Sequence, residues 1–293
     1  MIPEAFSQFV AVDWSGAKGQ RLKGLQMALC GAGHEAPKLV TPSAGDCWTR
    51  EGVWAWIVEQ TKFNGPLLAA FDMALGMAYC DKDAYFPGLS NAPRTVRQLW
   101  RAIDQESQRS PDWYAGAFCS PPSPYAPYFN SPSNRGAFFK SRQRVTERVC
   151  HGKWTRPSSV CNAVGPGAVG MGSLAGMRML HHIRKTKDLK VAIWPFNDVV
   201  DADIIVVEMF PRLYVKQAGM NPQLWREMGF LQAVWRAYGI RGRVPKAVET
   251  EDKMDALLSA AAIRWHAQNP EVWRPAGMTM AAARHEGWIF GVG

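Results

Sequence analysis

The sequence lacks paired cysteines and long apolar runs. Its six cysteines stand singly with no Cys-x-x-Cys spacing, and no apolar run reaches the roughly 18 residues that a membrane-spanning helix needs. A disulfide scaffold, a cysteine-based zinc site and a membrane protein are therefore excluded. The first residues show neither a basic segment nor an apolar segment of signal-peptide type. We therefore expect a cytoplasmic protein with reduced cysteines and no membrane partner.

Charge is also scarce, but it is unevenly placed. Charged residues make up 20% of the 293 residues and hydrophobic residues 47%, which suits a chain with a substantial core. The net charge is +9, yet residues 94–190 alone hold 16 Lys and Arg against five Asp and Glu. Aromatic residues interleave with these cations, which is typical of surfaces that track a phosphate backbone and stack on bases. This pattern predicts a nucleic-acid partner, and the alternative is that the aromatics pack a core of their own.

Hydrophobic patterning predicts an α/β fold. Short apolar runs predict strands, and stripes at helical spacing predict helices, two of which begin after the capping residues Thr49 and Thr250. A long middle region is rich in Pro, Gly, Arg and aromatics, and only residues 96–108 and 176–184 of it are clearly helical. The predicted strands are residues 9–13, 25–30, 38–41, 67–71, 203–207 and, at the end, 288–292. The predicted helices outside the middle region are the one after Thr49, residues 222–238 and the one after Thr250.

Three of the predicted strands are followed by an acid: Asp13, Asp72 and Glu208. Ligands of open α/β sheets bind at the carboxyl ends of strands. Asp252 and Asp255 are three residues apart at the start of the last long helix, so they share a helix face. If that helix packs beside the central strands, these carboxylates converge and need hard divalent cations such as Mg²⁺ or Mn²⁺. Each acid taken alone is equally well a turn residue or a helix cap.

Seven stretches, in order along most of the chain, resemble an uncharacterised bacterial family of predicted ribonuclease H-like nucleases. The resemblance implies a ribonuclease H-like mixed five-stranded sheet flanked by helices, in a single domain over residues 1–293. It implies a core of residues 1–75 and 196–293, with a basic insertion of about residues 76–195 between the fourth and fifth strands. The stretches are VAVDWSGAKG (10–19), LAAFDMALG (68–76), RVTER (144–148), VGPGAVGMGSLAGMRML (164–180), IWPF (193–196), VVEMFPRLY (206–214) and DKMDALLSAAA (252–262).

The same resemblance assigns roles to the acids. It implies that Asp13, Asp72, Glu208 and Asp255 are catalytic and bind metal, and that Asp252 joins them, with Glu251 as the alternative. Two Mg²⁺ or Mn²⁺ ions, bridged by Asp13, would then activate a water and stabilise the leaving oxygen of a phosphodiester. The hypothesis is a metal-dependent nuclease that hydrolyses nucleic acid or a nucleotide-like phosphodiester.

Several side chains are candidates for holding the substrate phosphate. Ser15 and Lys18 lie in a tight loop directly after Asp13, which is otherwise an ordinary hairpin loop. The Gly-dense residues 162–177 suit a loop that covers the substrate. Arginines can pair with phosphate or simply form a solvated face. The arginine candidates are Arg142, Arg144, Arg148 and Arg212.

Two other functions stay open. Asp13-Trp14-Ser15-Gly16 loosely resembles the phosphate loop of sugar kinases and actin, which predicts an ATP-dependent phosphotransferase. Those proteins carry two such domains, whereas this chain has a single acidic set. The other alternative is a non-catalytic module that binds nucleic acid, with salt-sensitive affinity that does not depend on metal.

Overall fold

A computed structural model describes residues 6–43, 45–245 and 248–293. Its centre is a mixed six-stranded sheet with helices on both faces. The strands of this sheet are β1 (Gln8–Asp13), β2 (Gln26–Gly31), β3 (Lys38–Val40), β4 (Leu67–Phe71), β7 (Val191–Ile193) and β8 (Ile204–Glu208), in the order β3-β2-β1-β4-β8-β7. A separate hairpin is formed by β5 (Asn130–Ser131) and β6 (Asn134–Arg135).

The sheet changes direction at β1. Strands β3, β2 and β1 pair antiparallel, whereas β1, β4, β8 and β7 pair parallel. The prediction of a mixed sheet flanked by helices is confirmed, but the predicted number of five strands is wrong. The additional strand is β7, which is only three residues long and so shows no readable alternation. Residues 288–292 form no strand and contribute a single bridge, between Ile289 and Glu208.

Nine α-helices surround the sheet in the described part of the chain. The predicted helix over residues 222–238 is interrupted: a 3₁₀ turn covers Pro222–Leu224, and Gly229 at φ +85° precedes the true helix. None of the helices in the described ranges is long and apolar enough to cross a membrane. The helices are α1 (Arg50–Asn64), α2 (Val96–Glu106), α3 (Val145–Lys153), α4 (Gly170–Ile183), α5 (Pro211–Gln217), α6 (Phe230–Ala237), α7 (Glu251–Ala267), α8 (Pro270–Trp273) and α9 (Met280–His285).

Two apolar cores lie on opposite faces of the sheet. Alternation along a strand sends successive side chains to opposite faces. In β1, Ala11 packs into the core of α5, α6 and α7, whereas Val10 and Val12 pack into the core of α1, α2 and α4. The sheet is therefore the middle layer of three.

Helix α7 lies across β1 and β2. The Thr250 side chain accepts a hydrogen bond from the Lys253 N–H and so fixes the first residue of this helix. Its middle is Ala-rich and buried, which allows close approach to the sheet. As a result, the acidic first turn of α7 lies near the end of β1.

The aromatic residues between β4 and β7 chiefly pack against one another. The Phe118 ring stacks on Tyr125 with 4.3 Å between ring centroids, and Phe86 contacts Phe118, Tyr128 and Phe129. These rings therefore pack a local core of their own, which was the alternative to stacking on the bases of a nucleic acid. Phe138 and Trp154 remain exposed.

Candidate functional site

Strand register brings the first two predicted acids together. Val12 of β1 pairs with Phe71 of β4, and the Asp72 N–H donates to the Val12 carbonyl at 3.0 Å. Asp13 and Asp72 are the next residues on the two strands. They therefore lie side by side at the carboxyl end of the sheet.

Alternation then separates Glu208 from this pair. Glu208 pairs with Phe71, one residue before Asp72, so it points to the opposite face from Asp13 and Asp72. Ile204 and Val206, which share the side of Glu208, pack in the core of α1, α2 and α4. Asp13 and Asp72 come two residues after Ala11 and Ala70 along their strands, so they lie on the same face of the sheet as these alanines. That face packs against α7.

Helix α7 adds two more carboxylates. Burial raises the pKa of Asp13 well above its usual value, and the charges of Asp72, Asp255 and Asp252 raise it further. Burial raises the pKa of Asp252 as well, and the nearby Asp13 carboxyl opposes this rise. Burial and then the charge of Asp72 raise the pKa of Asp255 in the same way. We call Asp13, Asp72, Asp252 and Asp255 the aspartate cluster.

The cluster has little positive charge of its own. Burial, with the charge of Glu208, raises the pKa of Asp72 to about 7, and only Arg212 opposes these effects. Arg212 is exposed and acts on Asp72 and Asp255 without forming an ion pair. Within the described ranges, no Lys, Arg or His lies within 4.0 Å of any carboxylate of the cluster. These four like charges therefore lack an internal counterion.

Glu208, in contrast, is neutralised by the chain. Its two oxygens accept hydrogen bonds from the buried Arg144 guanidinium at 2.7 and 2.5 Å. Arg144 also binds Glu147 at 2.8 Å, and Leu75 donates its N–H to Glu208 at 3.2 Å. Glu208 is near enough for its charge to raise the pKa of Asp72, although it points to the other face, and Arg144 compensates that charge. Its assignment as a metal ligand stays a prediction.

The arginines proposed for phosphate binding lie in different surroundings. Arg144 is 2% exposed and saturated by acids, so it does not reach solvent. Arg142 pairs with Asp81 at 2.5 Å, while the exposed Arg148 donates to the Gln143 carbonyl at 2.7 Å. Of the arginine candidates, Arg212 is the one whose charge acts on the cluster.

The loop after β1 is held close to the cluster. The buried Arg50 donates to the carbonyls of Ser15 and Ala17 at 2.7 to 2.9 Å, and so fixes the loop from inside. Asp252 lies beside this loop, since a Cβ on Gly24 would be 3.5 Å from Asp252 Oδ2 and 4.0 Å from Ser15 Oγ. Lys18 is exposed at the outer end of the loop. Ser15 thus lies near the cluster.

The Gly-dense segment also reaches the site. Trp14 Nε1 donates to the Gly172 carbonyl at 3.1 Å, and a Cβ on Gly16 would come within 2.2 Å of Gly172 N. A cavity of about 390 Å³ lies between these two backbones and Asp72. Ala168, Val169, Met171 and Gly172 line it, and that this segment covers a substrate stays a prediction.

Two buried residues that hold the site were not identified from the sequence. Arg50 follows the helix-capping Thr49 and looks like an ordinary first-turn residue, yet it is fully buried and pairs with Asp112. Glu286 accepts hydrogen bonds from the N–H groups of Tyr79, Cys80 and Val145. No local sequence pattern distinguishes such tertiary contacts.

Whether the cluster suits a metal ion depends on donor chemistry and geometry. In residues 6–43, 45–245 and 248–293, no three His, Cys, Asp or Glu side chains are arranged around one point as metal ligands. The donor chemistry nevertheless fits hard divalent cations, because all four donors are carboxylates without an internal counterion.

Comparison of this chain with protein-family models, with curated proteins and with solved structures gives no match.

Proposed function

We propose that this chain is a divalent-metal-dependent phosphodiesterase of ribonuclease H-like fold that hydrolyses nucleic acid. The observation that carries the proposal is the aspartate cluster: four neighbouring carboxylates with raised pKa values and no ion-pair partner in the described residues. The fold is supported by an acid at the end of β1, one after β4, one at the end of β8 and two on α7. This is the layout implied by the resemblance.

Asp13, Asp72, Asp252 and Asp255 are the residues that would hold Mg²⁺ or Mn²⁺. When bound, such ions lower the pKa of a water and neutralise charge on phosphate oxygens. The positions of the buried Asp13 and the half-buried Asp72 at the ends of adjacent strands fix two ligands before binding. The positions of Asp252 and Asp255 depend on how α7, which carries them, packs against the sheet.

Other residues of the chain orient the substrate. Arg212 adds positive charge beside Asp72, where a phosphate would lie. Gly16, Ala17 and the segment around Met171 border the cavity at Asp72, which limits how a phosphodiester can enter. Arg144 binds both oxygens of Glu208, so that this acid is paired within the chain and not offered to the substrate.

The test is a Mn²⁺ and Mg²⁺ cleavage screen over single-stranded, duplex, hybrid and branched nucleic acids. We expect wild-type protein to cleave at least one substrate only with metal, and Asp13→Asn to lose at least about 100-fold in rate while remaining folded. Asp46→Asn is the matched control, because Asp46 is an exposed aspartate that does not belong to the cluster. Full activity in a folded Asp13→Asn variant would overturn the proposal.

The same preparations separate the two alternatives. A phosphotransferase would bind ATP with metal in calorimetry and show no cleavage. A non-catalytic module would bind nucleic acid equally well with or without metal, and equally well as the Asp13→Asn variant.

A further inference from the structure

Three arginines without carboxylate partners meet on the outer surface of α2 and α4. Arg97 and Arg101 are exposed and one turn apart on α2, and Arg184 ends α4. None of them forms an ion pair with any residue that the structure describes. The two helices pack against each other, and Asp104 near the end of α2 binds Arg178 in the middle of α4 at 2.9 Å.

This arrangement does not stabilise α2. Arg97 lies in the first turn of α2, which holds no acid, so its charge opposes the helix dipole. Arg97 and Arg101 are also like charges four residues apart, which repel. Burial and then the charges of Arg97 and Arg101 lower the pKa of Arg184, so the three guanidiniums are close enough to interact.

The acids of these two helices do not compensate this charge. Asp104 is engaged by Arg178 and by His182 at 2.8 Å, and Glu106 is at the far end of α2. The exposed Lys185 adds a further cation directly after Arg184. The surface therefore presents concentrated positive charge to solvent.

Helix α4 connects this surface with the aspartate cluster. Its first residues contact the loop after β1 and border the cavity at Asp72. Its length from Gly170 to Ile183 corresponds to about 20 Å at 1.5 Å per residue. A nucleic-acid duplex covers that distance in about six base pairs.

We propose that Arg97, Arg101, Arg184 and Lys185 form a docking surface for the sugar–phosphate backbone of a polynucleotide. Where the proposed function holds, the same polynucleotide reaches the aspartate cluster with another of its phosphates, which is the one that reacts. The surface would then select long substrates over short ones without reading their sequence.

The experiment compares two triple variants that lower the net charge equally. Arg97→Gln/Arg101→Gln/Arg184→Gln removes the surface, and Lys62→Gln/Arg236→Gln/Arg241→Gln removes three exposed cations elsewhere. Binding of a fluorescent duplex of about 20 base pairs is followed by anisotropy over a range of KCl concentrations. We expect the first variant to bind at least about 10-fold more weakly and to lose about 2 to 3 from the slope of log K against log salt. The control variant should match wild type.

Three outcomes are decisive. Unchanged affinity and slope in the surface variant, or an equal loss in the control, would overturn the docking surface. If Arg184→Gln prevents folding, the Arg97→Gln/Arg101→Gln variant of exposed residues should still lose about 2 from the slope.

Hydrolysis of bis(p-nitrophenyl) phosphate separates this inference from the proposed function. We expect this small diester to be hydrolysed equally by wild type and the surface variant, because it is too short to reach α2. Absence of hydrolysis in wild type would count against the proposed function and leave the binding result to decide the docking surface.

Discussion

At the scale of single residues, the site depends on which acids the chain neutralises. Glu208 and Glu147 share the buried Arg144, whereas no Lys, Arg or His of the described residues forms an ion pair with the four aspartates of the cluster. Buried charges without partners cost stability, and proteins retain them chiefly where function requires them. This contrast between Glu208 and Asp72, which are neighbours, gives two predictions.

Asp72→Asn should stabilise the protein at alkaline pH. Folding raises the pKa of Asp72 to about 7, from an unfolded value of about 4. The protonated carboxyl group therefore contributes fully to stability below about pH 4, and this contribution is lost as the pH rises through 7. We expect urea unfolding in EDTA to show the variant on the order of 1–3 kcal/mol more stable at about pH 8, with little gain near pH 4. Asp46→Asn should show no such pH dependence. If Asp72→Asn were less stable than wild type at the higher pH, this would contradict a pKa of Asp72 that folding raises.

Arg144→Met should be strongly destabilising. The substitution leaves Glu208 and Glu147 buried without a cation. Removing one partner of a buried ion pair costs about 3–5 kcal/mol of unfolding free energy. Adding Glu208→Gln should recover part of the loss in the same urea titration, because one of the orphaned charges disappears. Arg148→Gln, at an exposed position, should change stability by less than about 0.5 kcal/mol. Equal effects of Arg144→Met and Arg148→Gln would rule out the buried network.

At the scale of elements, the site is made where two backbones touch. The loop after β1 and the start of α4 approach so closely that Gly16 has no space for a Cβ, and Arg50 holds the loop from the other side. The neighbours of Gly16 are backbone atoms, which cannot rotate away. This contact fixes the wall of the cavity beside Asp72.

Gly16→Ala should therefore separate the loop from α4. We expect a loss of about 1–3 kcal/mol in unfolding free energy, together with reduced metal-dependent cleavage. Gly152→Ala, in α3 with no atom near its added Cβ, should be neutral or up to about 1 kcal/mol stabilising. Thermal melts of the two variants make the comparison. A fully stable and active Gly16→Ala protein would show that the loop and α4 do not need this contact.

Local sequence patterns predicted the elements better than their mutual placement. The runs ending at Asp13, before Asp72 and at Glu208 are strands, and Thr250 caps the helix that carries Asp252 and Asp255. The patterns did not reveal that register turns Glu208 to the other face, because a one-residue offset is decided by pairing between strands. Arg50 and β7 were missed for the same reason: their roles exist only in tertiary contacts.

At the scale of the whole molecule, opposite charges are separated. The aspartate cluster lies at the carboxyl end of β1 and β4, while the unpaired arginines lie at the other end of α4. A fold that gained only stability from its charges would place them in pairs. The separation instead suits a cation site that receives one phosphate and a surface that holds the chain of phosphates leading to it.

The metal site is tested most directly by measuring Mn²⁺ binding with electron paramagnetic resonance. Wild type, Asp13→Asn and Asp46→Asn are compared in parallel. We expect wild type and Asp46→Asn to bind up to about two Mn²⁺ ions. Folded Asp13→Asn should bind Mn²⁺ at least about 10-fold more weakly. Equal Mn²⁺ binding by Asp13→Asn and wild type, or no Mn²⁺ binding by wild type, would contradict the assignment of the aspartate cluster as a metal site.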